Sequence, residues 1–200
     1  MSEDRGHKQF DARSLRAIAH PLRVRIMELL WLDGAATSTG LARRLGESSG
    51  TVSWHLRHLA EHDFIEEDVE RGTKRERWWR MKPRSMSVEP AEFLANPDLR
   101  GPLSVYLYEQ VQTVSNRLTN FLSEDWDAEW YRAAAASDWR LRLTPDALKA
   151  LNAEVTAIVD RYKAEHDPDE ACVGEGSEIV VVQYQSFPHR AVRPGDEEQS

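Results

Sequence analysis

Apolar residues follow first a helical and then a strand spacing along the chain. This order constrains the fold more than any other feature. From Phe10 to His62 the apolar residues recur every three or four positions, which is the spacing of amphipathic helices. From residue 64 to Met81 apolar and polar residues alternate around Gly72, which is typical of two short strands joined by a turn. Because a lone hairpin is marginally stable in water, we expect it to pack on the helices that precede it.

Local signals divide the helical segment into four helices. Pro21 separates the first two, because proline suits the first turn of a helix and disfavours helical backbone in the residue before it. Gly46 ends the third helix, predicted over 39–46, and the turn that follows starts a fourth helix over 49–62. An apolar stripe at i, i+4 and i+7 predicts the buried face of this fourth helix: Val52, Leu56 and Leu59.

Charge is distributed unevenly along the chain. The 200 residues have a net charge of -8, but residues 1–85 hold 16 basic against 13 acidic residues, whereas residues 86–200 hold 10 against 21. The segment 71–84 has seven cations and one carboxylate, Glu76, so it is where an anion experiences the strongest attraction. No apolar stretch approaches the length of a membrane span, and the single cysteine, Cys172, excludes an internal disulfide. We therefore expect a cytoplasmic protein with no membrane partner.

A helix, a tight turn, a second helix and a basic hairpin, in this order, predict a winged helix-turn-helix that binds double-stranded DNA. An α-helix fits the major groove, where each base pair presents a distinct set of donors and acceptors. With the apolar stripe buried, the outer face of helix 49–62 presents hydroxyl groups and an indole to base edges: Ser49, Thr51, Ser53 and Trp54. Cations that suit phosphates flank this face: Arg43, Arg44 and Arg57. We call the hairpin tip the wing, and expect it to contact the flanking backbone or the minor groove with Arg71, Thr73, Lys74 and Arg75.

The second half of the chain is predicted to join two copies of the protein. Three prolines mark a linker over 83–98, with room for one helical turn, and the longest predicted helix follows over 99–123. Its apolar residues step by four and three, the spacing that lays one helix along another. We expect this seam to form a homodimer interface: Leu107, Val111, Val114, Leu118 and Phe121.

The sequence therefore predicts a mainly α protein with a small β component, of the α+β class. An N-terminal winged helix-turn-helix domain spans 10–82, and a C-terminal dimerisation and effector domain spans 99–187. Within the latter, helices are expected over 124–136 and 144–165. Alternating residues predict a two-strand element, over 139–143 and 178–187. The tails, 1–9 and 188–200, are expected to be disordered.

Residues 12–82 resemble the ArsR-type winged helix-turn-helix transcriptional regulators. The resemblance depends on a set of short motifs taken together: His20-Pro21-Leu22-Arg23, Leu41-Ala42, Thr51-Val52-Ser53 and His55-Leu56. It is strongest for a metal-independent actinobacterial branch with a long C-terminal extension. The resemblance implies a homodimeric DNA-binding regulator, often a repressor, with DNA contacts at Ser49, Gly50, Ser53 and Trp54.

Two departures from the family pattern affect this expectation. The cysteine pair of the family's metal sensors has no counterpart between Leu29 and Leu45, so we expect no metal and no cofactor there. Asp63 stands where the family commonly has glycine, and aspartate tolerates left-handed backbone better than most residues.

Several features allow more than one interpretation. The spacing of His55, His58 and His62 could bind a metal, but packing or phosphate contact is favoured because no carboxylate or cysteine partner is evident. The aromatic residues at 126–139 suit a hydrophobic core or a pocket for a small-molecule effector. No enzyme motif is found, and the alternative to a regulator is a winged-helix adaptor that binds proteins and not specific DNA.

Overall fold

The structure, a computed structural model, describes residues 7–72, 76–83, 85–88, 90–166 and 176–189. The chain forms two compact units, residues 1–125 and 126–200, which we describe separately. Most of the regular structure is helical, with a few short strands, which confirms the α+β class.

The first unit contains four helices whose ends are closed by side-chain caps or by glycine. Asp11 accepts a hydrogen bond from the Ser14 N–H at the start of α1, and His20 accepts one from the Leu22 N–H at the start of α2. Gly46 ends α3 with a φ of 69°, a left-handed conformation that glycine adopts without strain. The helices are α1 Ala12–Ile18, α2 Pro21–Leu32, α3 Ser38–Leu45 and α4 Ser49–Glu61.

The hairpin that follows α4 belongs to a three-stranded antiparallel sheet. Its central strand pairs with one neighbour through Ile65 and Met81, and with the other through Ala36 and Trp79. Thr73, Lys74 and Arg75 of the predicted wing lie outside the described residues. The strands are β2 Ala36–Thr37, β3 Ile65–Glu67 and β4 Trp78–Met81.

The predicted linker over 83–98 contains regular structure and packs on the core. Strand β5, Ser85–Ser87, pairs in parallel with β1, His7–Gln9, so residues 7–9 are not a disordered tail. Helix α5, Pro90–Leu94, buries Phe93. Sequence reasoning missed this arrangement because two three-residue strands have too little periodicity to be recognised alone, and they pair across the whole helical segment.

Helix α6, Pro97–Ser123, extends the first unit beyond the predicted domain boundary. It buries one face against α1 and α2. Arg117 adds a hydrogen-bonded ion pair with Glu28 of α2, at 2.7 Å. The helices α1 to α4 and α6 and the start of the hairpin each contribute a large buried side chain to the core of the unit: Leu15, Ile26, Leu41, Leu56, Phe64 and Leu103.

Where it is described, the second unit consists of two helices and irregular segments. The first, α7 Ala128–Ala133, is shorter than the predicted helix over 124–136. The second, α8 Pro145–Glu165, agrees with the predicted helix over 144–165 and begins at a Thr144 cap. The two-strand element is wrong: residues 139–143 and 178–187 form no strand in the described structure. Their alternating side chains are largely exposed, and alternation produces a strand only where a second strand satisfies its backbone. Among the described residues, no helix combines the length and apolarity needed to cross a bilayer.

Candidate nucleic-acid interface

The second helix of the helix-turn-helix, α4, separates a buried face from an exposed one. Val52, Leu56 and Leu59 are 0% exposed and pack into the core, as their spacing predicts. At the start of the helix, the Ser48 hydroxyl accepts a hydrogen bond from the Thr51 N–H at 3.1 Å. The outward face at this end consists of exposed or half-buried residues: Ser49, Gly50, Thr51, Ser53 and Trp54.

Gly50 lies at the exposed start of α4. A β-carbon there would meet only the Ser48 hydroxyl, at 3.8 Å, which is ordinary van der Waals contact. Packing within the chain therefore does not require glycine at this position, and a small residue here leaves room for another molecule to approach the backbone.

Trp54 is the large apolar side chain of the exposed face, with 55% of its surface accessible. Its indole stacks on the His58 ring, with 5.7 Å between centroids and 9° between planes. The His55 ring makes an edge-to-face contact with it at 4.8 Å. Two ring contacts thus orient the indole while about half of its surface stays in solvent.

Beside this face lies a cleft of about 640 Å³ between α3, α4 and β4. Ser53 and Arg57 of α4 line it, with the Arg57 Nε donating to the Ser53 carbonyl at 3.2 Å. The remaining lining residues were not among the predicted site residues: Ser38, Thr39, Glu76, Arg77 and Trp79. A signal for two of them was present in the alternation of the segment 74–81, which predicts Arg77 and Trp79 on one face of a strand.

Two of the described cations predicted to bind phosphate have carboxylate neighbours. Arg43 is exposed at the end of α3, whereas Arg44 is bonded to Asp33 at 2.6 Å. In the wing, Arg71 lies 3.7 Å from the buried carboxylate of Asp68.

Other cations of the hairpin also have acidic neighbours. Arg80 pairs with Glu66 at 2.8 Å, and Arg77 lies 3.8 Å from Glu67. The carboxylates of β3 thus offset part of the positive charge that the sequence places in 71–84. A count of charges along that segment alone overstates its field.

A basic cluster lies beneath the exposed face of α4. His55 and Arg23 are both buried, and the His20 ring packs 4.6 Å from that of His55. Burial lowers the pKa of His55 to about 4, with further lowering by the nearby His20 and Arg23. Burial also lowers the pKa of His20 and of His58. His55 is therefore neutral at pH 7. Its ring packs against neighbouring side chains, which agrees with the interpretation favoured from the sequence.

The apolar seam predicted on α6 lies next to the face of this helix that is buried in the core. Leu99, Leu103 and Tyr106 are buried on the core side. The seam itself is partly covered at Val114 and Phe121 and exposed elsewhere: Leu107 at 36%, Val111 at 63% and Leu118 at 44%. Leu122, one turn beyond Leu118, extends the apolar stripe and is 68% exposed.

Comparison with known proteins identifies the central segment of this unit. Residues 18–68 match the family model described as a helix-turn-helix domain. A search of curated proteins gives no match. The match covers α2, α3, α4 and β3.

Three solved structures are similar at low identity. Reduced HlyU from Vibrio cholerae is 18% identical, covering 50% of this chain and 84% of that chain, with a TM-score of 0.33. A mutant of ZitR from Lactococcus lactis is 12% identical over 72% and 75%, with a TM-score of 0.31. The adhesin competence repressor AdcR from Streptococcus pyogenes is 16% identical over 71% and 81%, with a TM-score of 0.30. Such TM-scores support no argument about this chain.

The antiparallel hairpin of β3 and β4 follows α4 directly. Together with the family match, this order of elements establishes that the chain carries a helix-turn-helix domain of the winged form.

Proposed function

We propose that this protein is a sequence-specific, DNA-binding transcriptional regulator that acts as a homodimer. The observation that carries the proposal is the exposed start of α4, where small hydroxyl residues and an oriented indole face outward from a rigid core. Helix-turn-helix proteins place this end of the second helix against base edges in the major groove.

The exposed face supplies the chemistry that base reading needs. Ser49, Thr51 and Ser53 offer hydroxyl groups that donate to or accept from base edges, and Trp54 offers an apolar surface to a thymine methyl group. Gly50 allows the backbone to approach the DNA closely, and the free N–H groups at the helix start attract phosphate oxygens. We assign base reading to these five residues.

Phosphate contacts then fix the position of α4 on the duplex. Arg57 lies beside Ser53 in the cleft, and Arg43 is exposed at the end of the preceding helix. Arg44 reaches a phosphate by exchanging the surface carboxylate of Asp33 for it, which costs little because exposed ion pairs are weak. Arg71 is itself largely exposed beside the buried carboxylate of Asp68, so it contacts a phosphate from its solvent side. We extend the same role to Thr73, Lys74 and Arg75 at the tip of the wing.

A second copy of the chain is the partner we assign to the apolar stripe of α6. Exposed apolar patches of this kind mark interaction surfaces, and a self-complementary stripe suits the isologous contact of a twofold dimer. Two copies related in this way read two half-sites spaced by one helical turn or a multiple of it. The resemblance to ArsR-type regulators favours repression, and the Trp-rich second unit is where we place any small-molecule effector.

Replacing Trp54 by alanine is expected to reduce discrimination between operator and random DNA. Loss of one good base contact typically costs about 1–3 kcal/mol, so affinity for the operator should fall about 5- to 150-fold while binding to random DNA changes little. The measurement is a gel shift at two salt concentrations, using an operator selected from genomic fragments by the wild-type protein.

Two further variants serve as a control and as a comparison for Trp54→Ala. Trp139→Ala removes an indole that is 78% exposed in the second unit and should leave both affinities unchanged. Lys74→Ala with Arg75→Ala should weaken operator and random DNA alike and flatten the salt dependence. Similar losses from the wing pair and from Trp54→Ala would contradict the assigned roles, and absence of any gel shift would favour the adaptor.

Charging the stripe of α6 is expected to separate the dimer. Val111→Asp combined with Leu118→Asp places two carboxylates in the proposed interface, where their burial is unfavourable. Sedimentation should give twice the 23.0 kDa chain mass for wild type and the single mass for the variant. Leu94→Asp, on the exposed side of α5, is the control that should remain dimeric. A wild-type protein that sediments as one chain would contradict the assignment.

A further inference from the structure

The last turn of α4 brings two imidazoles and a carboxylate together. His58, Glu61 and His62 each direct a ligand atom to the same place, and these atoms all lie within 4.8 Å of one another. The positions i, i+3 and i+4 put the three side chains on one side of a helix. Sequence reasoning found no carboxylate partner for the histidines, whereas the folded helix supplies one from Glu61.

We propose that His58, Glu61 and His62 form a binding site for one divalent cation of the zinc type. Two imidazoles and a carboxylate are a ligand set that zinc accepts, and three protein ligands leave a coordination position for water or a further ligand. Imidazole nitrogen favours the later first-row metals over Mg²⁺ and Ca²⁺. The proposal is independent of DNA binding, since none of the three ligands is assigned to a base or phosphate contact.

Second contacts orient both imidazoles for this role. The His62 Nδ1 lies 2.9 Å from the His58 carbonyl, so it donates there and its Nε2 is the atom left to bind a metal. The His58 ring is stacked on Trp54, which restricts its rotation. The two imidazole rings lie 4.6 Å apart between centroids. These contacts restrain the two rings, and the ligand atoms, now within 4.8 Å of one another, need only a small approach to bind one zinc at about 2.1 Å.

The same histidines line a cleft of about 250 Å³ with Arg13, Arg16 and Ala17 of α1. The two guanidinium groups are exposed, and water and salt screen their repulsion of a cation. The two arginines therefore distinguish a cation from an anion in this cleft. Removing them strengthens the binding of a cation, whereas it weakens the binding of an anion.

The test is isothermal titration of the full chain with Zn²⁺ in the absence of DNA. Wild type should bind one Zn²⁺ per chain, and His58→Ala should weaken binding by at least about tenfold, since a lost ligand costs no less than a lost ligand-orienting contact. Glu61→Gln keeps the size of an exposed side chain and should also weaken binding, which covers the case in which His58→Ala fails to fold. His166→Ala, at the exposed end of α8, is the matched control and should titrate as wild type.

A variant with Arg13→Ala and Arg16→Ala completes the design. Tighter Zn²⁺ binding than wild type supports the site, and weaker binding overturns it. The proposal is also overturned if wild type takes up no Zn²⁺, or if the His58 and Glu61 variants titrate like wild type. Thermal unfolding with and without Zn²⁺ gives a second readout, because a cation that binds only the folded chain raises its melting temperature.

Discussion

Phe64→Ala is expected to remove about 3–5 kcal/mol from the free energy of unfolding, which is a large part of the stability of a single domain. The ring is 0% exposed and meets Phe10 edge-on, with 5.5 Å between centroids. Phe10 in turn contacts Tyr106 of α6 at 5.2 Å. Truncation therefore leaves a cavity where the start of the chain, the end of α4 and α6 meet. Urea unfolding followed by circular dichroism measures the loss.

The backbone at Phe64 explains why this cavity does not close easily. Its N–H donates to the Leu59 carbonyl at the end of α4, and its carbonyl accepts from the Lys82 N–H after β4. Asp63, just before it, has a φ of 58° and makes the turn between helix and strand. The main chain is thus fixed on both sides of the side chain that is lost.

Phe187→Ala is the matched control for this substitution. It removes the same ring from a position that is 77% exposed, so its effect should stay within about 0.5 kcal/mol. If Phe64→Ala cost no more than this control, the packing described at the end of α4 would be wrong.

The parts of the fold that sequence could predict are those determined by neighbouring residues. The spacing of Val52, Leu56 and Leu59 sets the buried face of α4, and Pro21 and Gly46 set helix ends through their own backbone preferences. These are local constraints, and a helix satisfies its backbone hydrogen bonds within itself.

The parts that sequence missed depend on contacts distant along the chain. The strand of residues 7–9 exists only because residues 85–87 pair with it. Conversely, the alternating residues 178–187 found no partner strand in the described structure and remained irregular. The positive charge of the hairpin was overestimated for the same reason, since Glu66 of β3 pairs with Arg80 of the neighbouring strand β4.

The candidate site shows the same division between local and distant signals. Exposure of Ser49 and Trp54 followed from the helical spacing, whereas the cleft wall from α3 and β4 needed the fold. Glu61 was an exception: it lies three residues after His58, so its spacing in the sequence could have revealed the third ligand of the proposed cation site.

Stability is expected to fall as the pH drops from about 6.5 toward 4. The pKa of His55 is lowered to about 4 by burial, while in the unfolded chain it lies near 6.5. In this window the unfolded chain binds a proton that the folded chain does not, so acid favours unfolding. The stabilisation is fully present above about pH 6.5 and is lost as the pH falls toward the folded value. Linkage gives a loss of about 2 kcal/mol between pH 7 and pH 5 from His55 alone.

The charged and titratable groups around His55 either lower its pKa as well or act outside the range between pH 6.5 and pH 4. His20 and Arg23 from α2 and His58 from α4 lower its pKa, and Glu109 affects it only through His20, whose pKa it raises. The lowered carboxyl pKa values of Asp11 and Asp63 act at lower pH, below about 3.8.

Replacing His55 by glutamine or by leucine is expected to flatten the dependence of unfolding free energy on pH between 7 and 5. Two replacements of different polarity are needed because either alone changes the packing of a residue that is 5% exposed. Urea midpoints at several pH values measure the slope for wild type and for both variants. Unaltered slopes in both His55 variants would show that another group takes up the proton. A reduced slope would mean that the neutral His55 ring beneath Trp54 links acid stability to the surface proposed to read DNA.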